Sequence, residues 1–128
     1  MSDYGMSKTL ELRFDDALAK VTDALKQEGF GVLTTIDVQE TLKKKLDVGF
    51  KRYMILGACN PPLAHRALQA EEEIGLMLPC NVIVYEKNGH TGVAAFNPMV
   101  MSKITANPGI RDVAEEVQGK LERVVENL

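Results

Sequence analysis

The chain has 128 residues, 45% apolar and 26% charged, values that suit one globular domain over 1–128 and exclude global disorder. A formal net charge of −3 and an isoelectric point near 5.4 argue against nucleic-acid binding, because phosphate neutralisation needs a basic face. No apolar run approaches the roughly 20 residues of a membrane span, and the start Met1-Ser2-Asp3-Tyr4 lacks the basic-then-apolar pattern of a leader. A reducing cytoplasm is the default location, where two cysteines are expected to be free, metal-bound or reactive rather than a structural disulfide.

Ser7 to Arg13 alternates Leu10 and Leu12 with polar residues and reads as a strand. A helix starts at Asp15, with Ala17, Leu18, Val21, Ala24 and Leu25 at helical spacing, and stops at Gly29. Phe30 to Ile36 is a second strand. Asp37, with Glu40 three residues on, has the capping-box spacing that opens a short helix ending near Gly49. Its Lys43-Lys44-Lys45 run reads as a solvated helix face rather than a phosphate site. Lys51 to Ala58 is a third strand.

Cys59-Asn60-Pro61-Pro62 follows, and asparagine before proline is a strong helix start: Asn60 can cap and Pro61 fits the first turn. Leu63, Ala67, Ala70 and Ile74 line one face of the resulting helix, which Gly75 ends. Asn81 to Glu86 is a strand, Asn88-Gly89 is the best hairpin turn in the chain, and Thr91 to Phe96 returns antiparallel. Asn107-Pro108 opens a last helix with one apolar stripe, Ile110, Val113, Ala114, Val117, Leu121, Val124 and Leu128. The order β-α-β-(α)-β-α-β-β-α predicts an α+β fold, a single antiparallel sheet of about five strands with helices packed on it.

Chemistry concentrates at Cys59 and Cys80. Cys59 lies at a strand end just before a helix, whose first turn carries unpaired N–H groups and a partial positive charge that would favour a thiolate. The plainer alternative is a small apolar residue packed at the strand end. Cys80 follows Pro79 at the start of the next strand. The two cysteines share one sheet end if their strands are antiparallel and lie at opposite ends if parallel; the residues alone permit both. His65 projects with Gln69 and Glu72, away from the apolar face, which suits an exposed histidine near a carboxylate better than a ligand or a base. His90, after the turn, reads as exposed. Cys59, Cys80 and His65 with one carboxylate could hold zinc or another soft metal, but no Cys-x-x-Cys or His-Glu-x-x-His supports it. Phosphate-loop glycines and Gly-x-Ser-x-Gly are also absent from the sequence. Met77, Met99 and Met101 read as core or interface filler.

The run Tyr53-Met54-Ile55-Leu56-Gly57-Ala58-Cys59-Asn60-Pro61-Pro62, then Ala64-His65-Arg66-Ala67-Leu68, then Gly75-Leu76-Met77-Leu78-Pro79-Cys80-Asn81-Val82-Ile83-Val84-Tyr85, resembles the domain-of-unknown-function 302 family. The likeness extends from about Lys8 to Leu128. It implies a fold like half of the TATA-box-binding protein: a strand, a helix, four antiparallel strands and a final helix, with members often paired as homodimers. It makes the strands bearing Cys59 and Cys80 antiparallel neighbours. It does not imply DNA binding, since fold is not function. The functional expectation is a small-ligand, sulfur/thiol or soft-metal module built on Cys59, Asn60, His65, Glu72 and Cys80. The alternative is a homodimeric interaction module with structural cysteines. Whether the protein is an enzyme stays open.

Overall fold

The computed structural model describes residues 3–128; Met1 and Ser2, part of the start read above for a leader, lie outside the described residues. Five strands form one antiparallel sheet in the order β1-β5-β4-β3-β2, with β1 Gly5–Leu10, β2 Gly31–Asp37, β3 Tyr53–Cys59, β4 Cys80–Lys87 and β5 His90–Phe96. The helices are α1 Phe14–Gln27, α2 Val38–Leu46, α3 Pro61–Ala70, α4 Val100–Ile104 and α5 Pro108–Glu126, with a 3-10 helix at Glu72–Met77. The architecture is the α+β sheet that the pattern predicts. Among the described residues, no helix is long and apolar enough to cross a membrane.

Strand alternation decides where the core lies. Met6, Leu10, Leu56, Ala58, Cys80, Val82, Val84, Val93 and Ala95 point to one face and are buried. Against them pack α1, through Ala17, Val21 and Leu25, and α5, through Ile110, Ala114, Leu121 and Val124. The stripe predicted for α5 is therefore the core stripe, although Leu128 lies beyond the helix and is only partly buried against the core. The other sheet face carries Tyr53, Ile55, Ile83, Tyr85 and Phe96, all only half-buried. The rings of Tyr53 and Tyr85, paired across β3 and β4, stack with centroids 5.5 Å apart.

Local chemistry explains most element ends. Asp37 Oδ1 accepts the Glu40 N–H at 3.0 Å and starts α2 as its spacing predicts. That helix ends at Asp47, in the left-handed region at φ 53°, before Gly49 is reached. Asn88 and Gly89 have φ of 48° and 83°, the paired positive values that a two-residue hairpin turn demands. Strand β1 stops at Leu10, so Leu12 is outside it and about a third exposed. The start of α1 is a correction of one residue: Phe14 opens it, and Asp15 lies inside the first turn.

The larger correction is at α3. The apolar spacing runs on to Ile74, yet the helix ends at Ala70, and Glu71 is extended at φ −155°. The cause is tertiary. Asn107 caps α5 by accepting the Gly109 N–H at 2.9 Å, and its side-chain amide donates to the Ala70 carbonyl at 2.8 Å. The Glu71 carboxylate accepts the Thr105 hydroxyl at 2.8 Å. The end of α3 is thus tied to the start of α5, and Ile74 reaches the core from a 3-10 turn instead. The five-residue α4, which the sequence pattern does not mark, buries Met101 beside this junction.

Because Asn107 serves two helices, Asn107→Ala should destabilise the protein by about 2 kcal/mol, one cap and one further hydrogen bond. Asn107→Asp should not restore it, since a carboxylate can cap α5 but cannot donate to Ala70 and would face Glu71. Urea unfolding checks both; full stability in the aspartate variant would show that the Ala70 bond contributes nothing.

Candidate functional site: a cavity walled by two cysteines

Strands β3 and β4 are antiparallel, with Ala58 opposite Cys80, so Cys59 and Cys80 occupy the same end of the sheet. This decides between the two arrangements that the residues alone permit. Cys59 ends β3 opposite Gly31 of the edge strand β2, and the chain then turns through Asn60 into α3. Both cysteines are free thiols, Cys59 partly exposed and Cys80 buried.

The two line one apolar cavity of about 340 Å³. Its walls come from the end of the β2–β3 pair, the inner side of α3 at Leu63 and Ala67, the turn at Leu78 and Pro79, and Met101 and Val117 from below. Two irregularities shape it. The β2–β3 register shifts between Val32 and Thr34, a bulge that brings Leu33 and Thr34 to the cavity. Thr34 then lies directly over Gly57: a Cβ at that position would collide with Thr34 Oγ1 and press tightly on Pro79 Cγ. The Gly57-Ala58-Cys59 run therefore needs its glycine for close approach of two side chains, not for backbone freedom.

The amino end of α3 differs from what the sequence suggests. Pro61 and Pro62 occupy its first two positions and have no N–H. The third, Leu63, directs its N–H to Asn60 Oδ1 at a long 3.5 Å, and the Ala64 N–H bonds the Asn60 carbonyl at 2.9 Å. The unpaired donors expected beside Cys59 are thus missing or used. Asn60 is also committed elsewhere: its Nδ2 donates to the Glu28 carbonyl at 3.3 Å, fastening the end of α1 to the start of α3.

Of the five candidate residues, the structure gathers Cys59, Asn60 and Cys80. His65 is exposed on α3 and Glu72 is exposed in the 3-10 turn, and neither lines the cavity. The projection that put His65 and Glu72 on one helical face fails because α3 ends between them. Among the described residues, no three His, Cys, Asp or Glu side chains are grouped to hold a metal ion. His90 is exposed, as its turn position predicts, beside a polar hollow at the opposite sheet end. Both carboxylates there are engaged by Arg52, which bonds Asp15 at 3.0 Å, stacks over the Phe14 ring, and directs its backbone N–H to Glu86. The sequence reading missed the cavity walls Leu33, Leu78 and Met101; the helix-to-turn break at Glu71 was the signal that could not be read locally.

The fold is an open five-stranded antiparallel sheet with α1 and α5 packed on one face and a cavity walled by Cys59 and Cys80 at one sheet end. The model of the family described as domain of unknown function DUF302 matches residues 6–128. The chain belongs to that family. It is also similar to a solved structure, an uncharacterized conserved DUF302 protein from Bacillus stearothermophilus, at 28% identity and a TM-score of 0.90, with 98% of each chain covered. No curated protein matches the chain.

Burial, with a lesser contribution from nearby Cys59, pushes the Cys80 thiol up from 9.0 to about 11. The folded chain therefore holds this proton more tightly than the unfolded chain does. The resulting stability is complete below pH 9 and is lost as the pH rises toward about 11, in all about 2–3 kcal/mol. A Cys80→Ala variant should lose that much less stability than the parent over the same alkaline range, measured by urea unfolding. Equal losses in both would mean that the buried thiol does not titrate with the fold.

Proposed function

We propose that this protein is a small-molecule-binding module whose site is the cavity at the end of β3 and β4, with Cys59 as its accessible thiol and Cys80 as the protonated thiol behind it. The observation that carries this reading is the placement of two free cysteines in the lining of one apolar cavity. Small-ligand sites are concave, mainly apolar, and supplied with a few placed polar groups. The arrangement separates the thiols by role. Cys80 is 6% exposed, and its raised proton affinity leaves about a hundredfold less thiolate at neutral pH than an ordinary cysteine would have. Cys59 is partly exposed and is the one an incoming electrophile meets. The reading requires a compartment reducing enough to keep both thiols free. With only two soft ligands gathered, it favours thiol chemistry over a resident metal.

Alkylation with iodoacetamide tests it. Cys59 should label at least about tenfold faster than Cys80 in the folded protein, and both should label alike after denaturation. Equal rates in the folded state, or no labelling of either thiol before denaturation, would remove the case for a working thiol.

A second reading, homodimerisation, draws on a different observation. Tyr53, Ile55, Ile83, Tyr85 and Phe96 make a contiguous apolar surface on the sheet face opposite the core helices, and Ile36 beside them is about half exposed. Apolar patches of this kind mark interaction surfaces. Sedimentation should then give a concentration-dependent dimer that Ile83→Glu disperses. A strict monomer at all concentrations counts against it and leaves the cavity reading untouched.

A further inference from the structure

We propose that the cavity takes an uncharged, apolar small molecule, such as a medium-length alcohol, and discriminates against anions of the same shape. This rests on the reading of the cavity as a ligand site and goes further by naming the chemistry of the ligand.

Three observations converge. The first is the closure of the α3 amino end. Anion sites at helix starts need free N–H groups aimed at the ligand. Here two of the first three positions are prolines, and the third directs its N–H to Asn60. An oxyanion, phosphate or carboxylate placed at Cys59 finds no donor in this turn. The second is the lining itself. Among the described residues that form it there is no Lys, Arg, Asp or Glu, and the Asn60 amide is committed on both sides, to Leu63 and to Glu28. The nearby Arg66 is drawn off by Glu116 at 3.0 Å. A charged head group would be desolvated there without a counter-charge, which is costly. The third is the rim. Leu33 is 67% exposed and Leu68 44% exposed, and both border the opening. Large apolar side chains left in water at the mouth of an apolar cavity gain by being covered.

Size follows from volume. An apolar cavity of about 150 Å³ holds benzene, so about 340 Å³ accommodates roughly a dozen non-hydrogen atoms. Decan-1-ol and decanoate have about that size and differ mainly in charge.

The experiment titrates the full chain with each at about pH 8, following displacement of the uncharged dye Nile red, with Cys59 alkylation measured in the same samples. Decan-1-ol should bind at least about fivefold tighter than decanoate. Ala64→Phe, which narrows the cavity from α3, should weaken decan-1-ol by a similar factor. Leu33→Lys, at the exposed rim where folding is not at stake, should reverse the preference towards decanoate. Decanoate binding as tightly as the alcohol, or alcohol binding indifferent to both substitutions, overturns the inference. No binding of either molecule with selective Cys59 labelling overturns the ligand class and leaves the thiol site standing. No binding with unselective labelling overturns both.

Discussion

The pairing of β3 with β4 is the constraint on which the rest depends. With Ala58 opposite Cys80, it places the core face of two central strands in register and fixes which residues look toward α1 and α5. A slip of one residue would turn either Leu56 and Ala58 or Val82 and Val84 to the other face, mixing the core row with the tyrosine and isoleucine row. The hairpin turn at Asn88-Gly89 then adds β5 in a dictated register, and β1 joins β5 from outside. The end shared by Cys59 and Cys80 is a product of that register, and so is the cavity they wall.

The helical layer is attached by asparagines that each act twice. Asn60 caps α3 and reaches back to the end of α1. Asn107 caps α5 and reaches back to the end of α3. In both places a helix start is hydrogen-bonded to the terminus of an earlier helix, so the order of the helices over the sheet is held by side-chain amides as well as by apolar packing. Lys8 of β1 does the same with charge, donating to the backbone oxygen of Leu128 at 2.8 Å beyond the carboxyl end of α5.

Much of this was legible in the sequence because it is local. The Asp37–Glu40 spacing, the Asn60-Pro61 and Asn107-Pro108 starts, the Asn88-Gly89 turn and the α5 stripe each depend on residues within a few positions of one another. The antiparallel sheet followed from them, and the resemblance carried by the segments around Cys59 and Cys80 supplied the strand neighbourhood that the residues alone left open. What was not legible depends on distant contacts. The apolar rhythm continues past Ala70, and only Asn107 and Thr105, more than thirty residues on, reveal that the helix stops. His65 and Glu72 were joined by extending that rhythm. Two prolines in a row announce a helix start, but the same two remove the donors that a helix start was expected to offer. The bulge at Leu33 leaves no sign in a run that reads as an ordinary strand.

That bulge also bears on whether a neighbouring chain can pair with the edge of the sheet. Strand β2 is an outer strand, and a straight outer strand invites a neighbouring chain to extend the sheet by main-chain hydrogen bonding. Leu33 and Ile36, both well exposed, would make such an extension more attractive. The register shift interrupts the ladder between Val32 and Thr34, so the free backbone groups along β2 do not follow the regular spacing that an incoming strand requires. The irregularity that helps open a cavity on one side of the strand thus interrupts the template for sheet polymerisation on the other.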